Sequence, residues 1–273
     1  MDRRTTIVTT SWDDGDFADL KLAELLHSKG IHGTFYIPIN YRDRPLEHSE
    51  IRTLASAGFE IGAHGFSHRS LCGLPPRTLA EDVQPCKRIL EDILGERVEM
   101  FCYPRGRYDA KVVRGLREAG YRGARTVHML RTSLTFDPFE MPTTLQAFPH
   151  PPSTYLKNVA RASSFESWHS LLADVPRVSS WLELGKRLFD TVLENGGVWH
   201  LFGHSWEIEE VGLWNDLREI LDYVSRRNGV RYLPNCALLE PRPSSRGKIS
   251  EDIAPAISDV PRADPPIREL RGW

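Results

Sequence analysis

Apolar positions along the chain fall into two alternating rhythms. Short β-branched or aromatic runs at 6–9, 34–37, 59–62, 98–103, 122–127, 141–148, 198–204 and 231–233 read as strands. Between them, 19–29, 49–57, 76–94, 111–119, 181–194 and 213–227 repeat apolar residues every three or four positions, as a helix with one buried face requires. Several boundaries carry their own signals. Gly30, Gly95 and Gly120 stop three of the helices, Ser49 is placed to cap another, and Pro38 and Pro104 close strands. The pattern weakens from 150 to 179, where only 165–172 suggests a helix.

Strands alternating with helices in this way predict an α/β fold with a parallel sheet. About seven such units, with polar motifs at strand C-termini, predict an irregular (β/α) barrel, a deformed TIM-like barrel whose active site lies at that rim. The catalytic domain is expected over 1–240. From 241 to 273 the composition shifts to six prolines and many charges, which reads as a C-terminal tail.

Lys and Arg number 35 against 37 Asp and Glu, so no nucleic-acid or membrane surface is indicated. No apolar run approaches the roughly 20 residues of a membrane span. The first strand begins within a few residues of the N-terminus, leaving no room for a signal peptide, and the four cysteines form no C-x-x-C pair. Free thiols in a reducing, cytoplasmic compartment are the expectation. Nothing in the sequence sets an oligomeric state.

Chemistry concentrates first at Asp13-Asp14-Gly15, behind the first strand. In a continuing strand two adjacent carboxylates would face opposite ways. A strand that ends here and bends at Gly15 lets both converge on one centre. His64 and His68, one turn apart after a second strand end, are close to what chance gives for ten histidines in 273 residues. Their weight comes from context. With Asp14 they make two imidazoles and one carboxylate with positions left open, which suits a catalytic Zn²⁺. The same set is compatible with non-haem Fe²⁺, so ligand type alone does not fix the metal.

These residues resemble the polysaccharide deacetylases, the NodB-homology domains of carbohydrate esterase family 4. Ser11-Trp12-Asp13-Asp14-Gly15 is similar to their T-F-D-D-G, and His64-Gly65-Phe66-Ser67-His68 to H-[ST]-x-x-H with Gly65 in place of the hydroxyl residue. Phe101-Cys102-Tyr103-Pro104-Arg105-Gly106 resembles R-x-P-[YF]-G, and Phe202-Gly203-His204 resembles L-x-H. The resemblance implies metal-dependent removal of an N-acetyl group from an amino sugar. It implies that Asp14, His64 and His68 hold Zn²⁺, or Co²⁺, Ni²⁺ or Fe²⁺, with Asp13 as base and His204 as acid. The amide of Arg105 would donate to the oxyanion. Phe202, Tyr103 and Trp206 would line the substrate cleft, while His200, deeper on the strand of His204, reads as core.

Two departures stand out. Cys102 occupies the position of the family's base-orienting arginine, for which Arg105, Arg107 and Arg125 are candidates and Arg125, near a strand end, is preferred. The aspartate and tryptophan that support the acid have no evident counterpart. The expected substrate is an N-acetylated sugar of a glycan or its nucleotide- or lipid-linked precursor. An amidohydrolase acting on a non-sugar amide and a non-catalytic glycan-binding homologue are the alternatives.

Overall fold

The central strands pair because each apolar run finds parallel neighbours and is buried on both of its faces. In the computed structural model, which describes residues 5–160 and 180–239, eight strands form one sheet. They are β1 (Thr6–Asp13), β2 (Gly33–Ile37), β3 (Glu60–Ala63), β4 (Met100–Cys102), β5 (Gly123–Arg125), β6 (Leu145–Gln146), β7 (Gly197–Gly203) and β8 (Val230–Tyr232). The order is β5-β4-β3-β2-β1-β7-β6, with β8 also on β1. Every strand pair is parallel.

The sheet curls round to a barrel. Met141 bridges Arg125 of β5, and a few residues later Leu145 and Gln146 pair with Leu201 and Phe202 of β7. The segment at 141–147 therefore carries the hydrogen bonding from one sheet edge to the other. Only two of its residues are regular strand, because it crosses between the two edges rather than running along either.

Helices α1 (Ala18–Lys29), α2 (His48–Ser56), α3 (Pro76–Leu94), α4 (Ala110–Glu118), α5 (Pro152–Ala160), α6 (Trp181–Asn195), α7 (Ser205–Val211) and α8 (Trp214–Val224) connect the strands. The helix start expected at Ser49 lies earlier: Glu47 is the cap, and Glu50 accepts from its amide at 2.6 Å. Residues 152–160 are helical where the sequence pattern was too weak to assign. The helix suggested at 165–172 and the tail from 241 lie outside the described residues. None of the described helices is long and apolar enough to cross a membrane.

β1 shows how the sheet divides its residues. All eight are buried. Val8 and Trp12 pack outward into the apolar core with Leu22 and Leu26 of α1. The alternate residues point into the barrel: Thr9 bonds Asn235, Ser11 bonds His200, and Asp13 meets Arg125. Period-two alternation thus sets Thr9, Ser11 and Asp13 on the inner face and Val8 and Trp12 on the outer one. The interior is satisfied at its lower end by Asn235, which also accepts from the Tyr36 hydroxyl at 2.9 Å.

Candidate active site

Asp13 is the last residue of β1 and lies inside the barrel, 3% exposed. The expected turn begins one residue earlier than Gly15: Asp14 itself takes φ 84°, and Gly15 follows at φ 60°. A non-glycine residue held there is strained, and the strain swings the second carboxylate to the same side as the first. Both aspartates face one centre as a result.

His64 follows β3, and its loop is held by Asp82 of α3. The buried Asp82 carboxylate accepts from the amide of Phe66 (2.8 Å), the hydroxyl of Ser67 (2.9 Å) and Arg69 Nε (3.1 Å). Gly65 sits at φ +80°, where a Cβ would stand 2.8 Å from Asp82 Oδ1. This explains the glycine at the place where the family pattern has a hydroxyl residue; Ser67 supplies a hydroxyl instead. His68 then adopts φ 53° and turns back over His64, the rings 4.7 Å apart.

Asp14 Oδ1 lies 3.6 Å from His64 Nε2 and 3.3 Å from His68 Nε2. Burial pulls both imidazoles below their ordinary pKa against the opposing pull of the two aspartates, and His68, beside His64, falls to about 4. They are therefore neutral near pH 7 and offer lone pairs rather than charges. His64 Nδ1 bonds the carbonyl of Cys102 at 2.9 Å, which leaves Nε2 as the free nitrogen. Buried Asp14 Oδ1 has no hydrogen-bond partner among the described residues. The three ligand atoms lie within 4.8 Å of one another. An orphaned carboxylate oxygen facing two neutral imidazoles fits a divalent cation, and His₂Asp with open positions is a catalytic rather than a structural zinc set.

Arg125 of β5 is in register with Cys102 of β4, on the adjacent strand. Its fully buried guanidinium donates from Nη2 to Asp13 Oδ1. Nε and Nη1 have no partner among the described residues; the guanidinium lies 4.8 Å from the Phe202 ring and 5.4 Å from that of Tyr36. Burial alone would raise the Asp13 pKa, but Arg125, then His64 and His204, more than offset it and hold the carboxyl at about 2. Oδ2 faces the Cys102 thiol at 3.6 Å and His204 Nε2 at 3.9 Å. Burial pushes that thiol far above the ordinary range, so it is a neutral neighbour. Arg105 and Arg107 are exposed on the turn after β4.

His204 directly follows β7, and its Nδ1 bonds Glu207 Oε2 at 2.6 Å. Burial pulls its pKa down, but the bond to Glu207 and the Asp13 carboxylate carry it above the ordinary value. Glu207 also accepts from Gln146 Nε2 (3.2 Å), whose own oxygen bonds His150 Nε2 (2.8 Å). The acidic run at 206–210 has no helical signature of its own in the sequence. It is helical, and an i, i+3 spacing on α7 brings Glu207 back to His204. Trp206, on the same helix, donates from Nε1 to Asp14 Oδ2 at 2.8 Å.

Arg105 stands at φ 59° in a tight turn, its cation near enough to lower His68; a Cβ on the following Gly106 (φ +65°) would meet Val127 at 2.3 Å. Phe202 is 2% exposed beneath Arg125. Tyr103 is on the helix-facing side of β4, its hydroxyl spent on the Phe139 carbonyl at 2.8 Å and its ring stacked on Tyr108, so it is a packing residue in this structure. His200 is core: its Nε2 bonds Ser11, its Nδ1 bonds the Pro142 carbonyl, and burial lowers its pKa to about 3. Glu207, Asp82 and Tyr41, which stacks on His68 at 3.9 Å, were not singled out by the sequence reading.

Comparison with known proteins bears on the fold and on the first half of the chain. The sequence model of the polysaccharide deacetylase family matches residues 2–124. The polysaccharide-deacetylase homologue YxkH of Bacillus subtilis (strain 168) is 23% identical over 77 residues, which is 28% of this chain and 28% of that relative's length. A crystal structure of a polysaccharide-deacetylase homologue from Mycobacterium smegmatis superposes with a TM-score of 0.58, at 17% identity over 91% of this chain and 96% of the other. The chitin deacetylase of Colletotrichum lindemuthianum gives 0.58 at 18% identity, over 88% and 91%. The two structures share the barrel with this protein, and over residues 2–124, the segment that carries the aspartate pair and both histidines, the chain is similar to the polysaccharide deacetylase family.

Proposed function

We propose that the protein is a metal-dependent N-deacetylase that hydrolyses the N-acetyl group of an amino sugar in a glycan or glycan precursor. The observation that carries this reading is the convergence of a cation-ready His₂Asp set with an ionised carboxylate and a raised histidine. Asp14, His64 and His68 would hold the cation, with Zn²⁺ as first candidate and Co²⁺, Ni²⁺ or Fe²⁺ compatible with the ligands. When bound, such a cation acidifies water and polarises an amide carbonyl.

Asp13 takes the proton of the attacking water at Oδ2, the oxygen that Arg125 leaves clear. Arg125 fixes the carboxylate by Oδ1 and keeps it ionised across the neutral range. His204 delivers a proton from Nε2 to the departing amine, without which the nitrogen is a poor leaving group. Glu207, on Nδ1, orients that ring and stabilises its charged form. The amide of Arg105 is the proposed oxyanion donor, and Phe202 and Trp206 border the acyl and sugar positions. All four cysteines are free, which fits a reducing compartment and a cytoplasmic reaction.

The test is acetate release from N-acetylated saccharides by chelated protein re-supplied with Zn²⁺, Co²⁺ or Ni²⁺. Turnover should return with metal and vanish in Asp13→Asn. Absence of acetate from every saccharide, or metal-independent release, contradicts the reading.

A further inference from the structure

β6 closes the barrel, and its second residue is also tied to the chemistry. Gln146 is in register with Phe202 of the parallel β7, so both side chains stand on the inner face, two residues short of His204. The amide of Ala147 donates to the Phe202 carbonyl at 2.8 Å, which fixes the height of Gln146 against the end of β7.

Three hydrogen bonds meet end to end here. His150 Nε2 bonds Gln146 Oε1 at 2.8 Å, Gln146 Nε2 donates to Glu207 Oε2 at 3.2 Å, and the same Glu207 oxygen bonds His204 Nδ1 at 2.6 Å. The chemistry of the groups leaves one placement of the protons. A carboxylate only accepts, so the NH₂ end of Gln146 faces Glu207 and its oxygen faces His150. That oxygen needs a donor, so His150 carries a proton on Nε2. Burial lowers the pKa of His150 against the pull of Glu207, and a neutral imidazole has that single N–H to give. The ring is held between Phe148, at 5.3 Å, and Tyr155 of α5, at 6.1 Å.

Glu207 needs such support. A glutamate side chain turns about three bonds, and its contact with His204 alone would leave the carboxylate free to swing. A second donor on the same oxygen, from a different element, fixes it. The imidazole of His204 is then held with Nε2 toward the reaction centre, 3.9 Å from Asp13 Oδ2.

We propose that Gln146 and His150 are positioning residues for proton delivery: the barrel-closing segment holds Glu207, and through it His204, in the orientation that protonates a departing amine. The proposal rests on the deacetylase reading, while the direction of the hydrogen-bond chain can be measured without any turnover.

The experiment compares two leaving groups on Zn²⁺-loaded protein. N,N′-diacetylchitobiose loses an amine that has to be protonated, whereas 4-nitrophenyl acetate loses a phenolate that departs as the anion. Gln146→Met keeps the length of the side chain and removes both of its hydrogen bonds; His150→Phe keeps a ring and removes the donor. Each should lower kcat for the disaccharide by about three- to tenfold, the worth of one hydrogen bond, with KM and aryl-ester turnover unchanged. Equal losses on both substrates, or no loss on either, overturn the proposal. Proton positions are read separately by ¹⁵N NMR of histidine-labelled protein in the presence of a chelator. Wild type should show His150 protonated at Nε2, and Gln146→Met should expose the His204 Nδ1 proton to faster exchange with solvent. His150 protonated at Nδ1 instead, or an exchange rate unmoved by Gln146→Met, also overturns it. If wild type releases acetate from neither compound, the deacetylase reading falls, and the spectra alone decide whether these residues hold Glu207 against His204.

Discussion

Replacing Arg125 with Met removes the only cation that bonds Asp13 directly among the described residues, and the consequence can be worked from the burial of both groups. An Asp13 pKa of about 2 rather than 3.8 corresponds to about 2 kcal/mol in favour of the ionised form. Leaving the carboxylate in the same place without its partner should cost about 3–5 kcal/mol of stability at pH 7. The sign with pH follows from the direction of the shift. A carboxyl held low in the folded state contributes stability above its unfolded value of 3.8, and loses it as pH falls through about 2. In Arg125→Met, burial is opposed only by the more distant His64 and His204, so the difference from wild type should be greatest near neutrality and close in acid. Urea denaturation in the presence of a chelator is the assay, because no bound cation then adds its own field. The double variant Asp13→Asn/Arg125→Met completes the cycle. It should be more stable than the two single losses added together imply, by about 2 kcal/mol or more, since neither charge is then stranded. Single losses that add to within about 0.5 kcal/mol would refute the argument that the pair is one electrostatic unit.

Three further outcomes are expected. Asp13→Asn should bind Zn²⁺ as wild type does, while turnover falls by about 10²–10⁴-fold; wild-type turnover would remove Asp13 from the role of base. The double variant His64→Ala/His68→Ala should lose bound Zn²⁺ by equilibrium dialysis, and one equivalent retained would place the metal elsewhere. Glu207→Gln should move the basic limb of the kcat/KM profile to lower pH. His204 is raised by Glu207, so its charged form persists above 6.5 and both its acid function and its stabilising contribution are lost as pH rises through the folded value. A basic limb that stays in place would assign the proton to another group.

Local pattern carried the fold a long way. The alternation of β-branched runs and helical stretches was enough for a parallel α/β barrel, because each rhythm is imposed by which face must be buried. Asp13, Asp14, His64 and His68 were visible as chemistry because they stand at strand ends, where one or two residues decide which way a side chain faces. Arg125 was singled out on the same ground, its place near a strand end.

The tertiary structure decided the rest. That Arg125 meets Asp13 depends on β5 lying beside β4 with Cys102 opposite Arg125. Nothing within either strand encodes that register. The closing segment at 141–147 has only two strand residues because its partners are two separate edges of the sheet. Glu207 became legible only once 205–211 was seen to be helical, since three residues put it beside His204 in a helix but not in an extended loop. Tyr103 shows the converse: its neighbour Cys102 faces the centre, so the pleat turns Tyr103 away from it. A sequence states which residues are available to a face of an element; which faces meet is settled only when the elements pack.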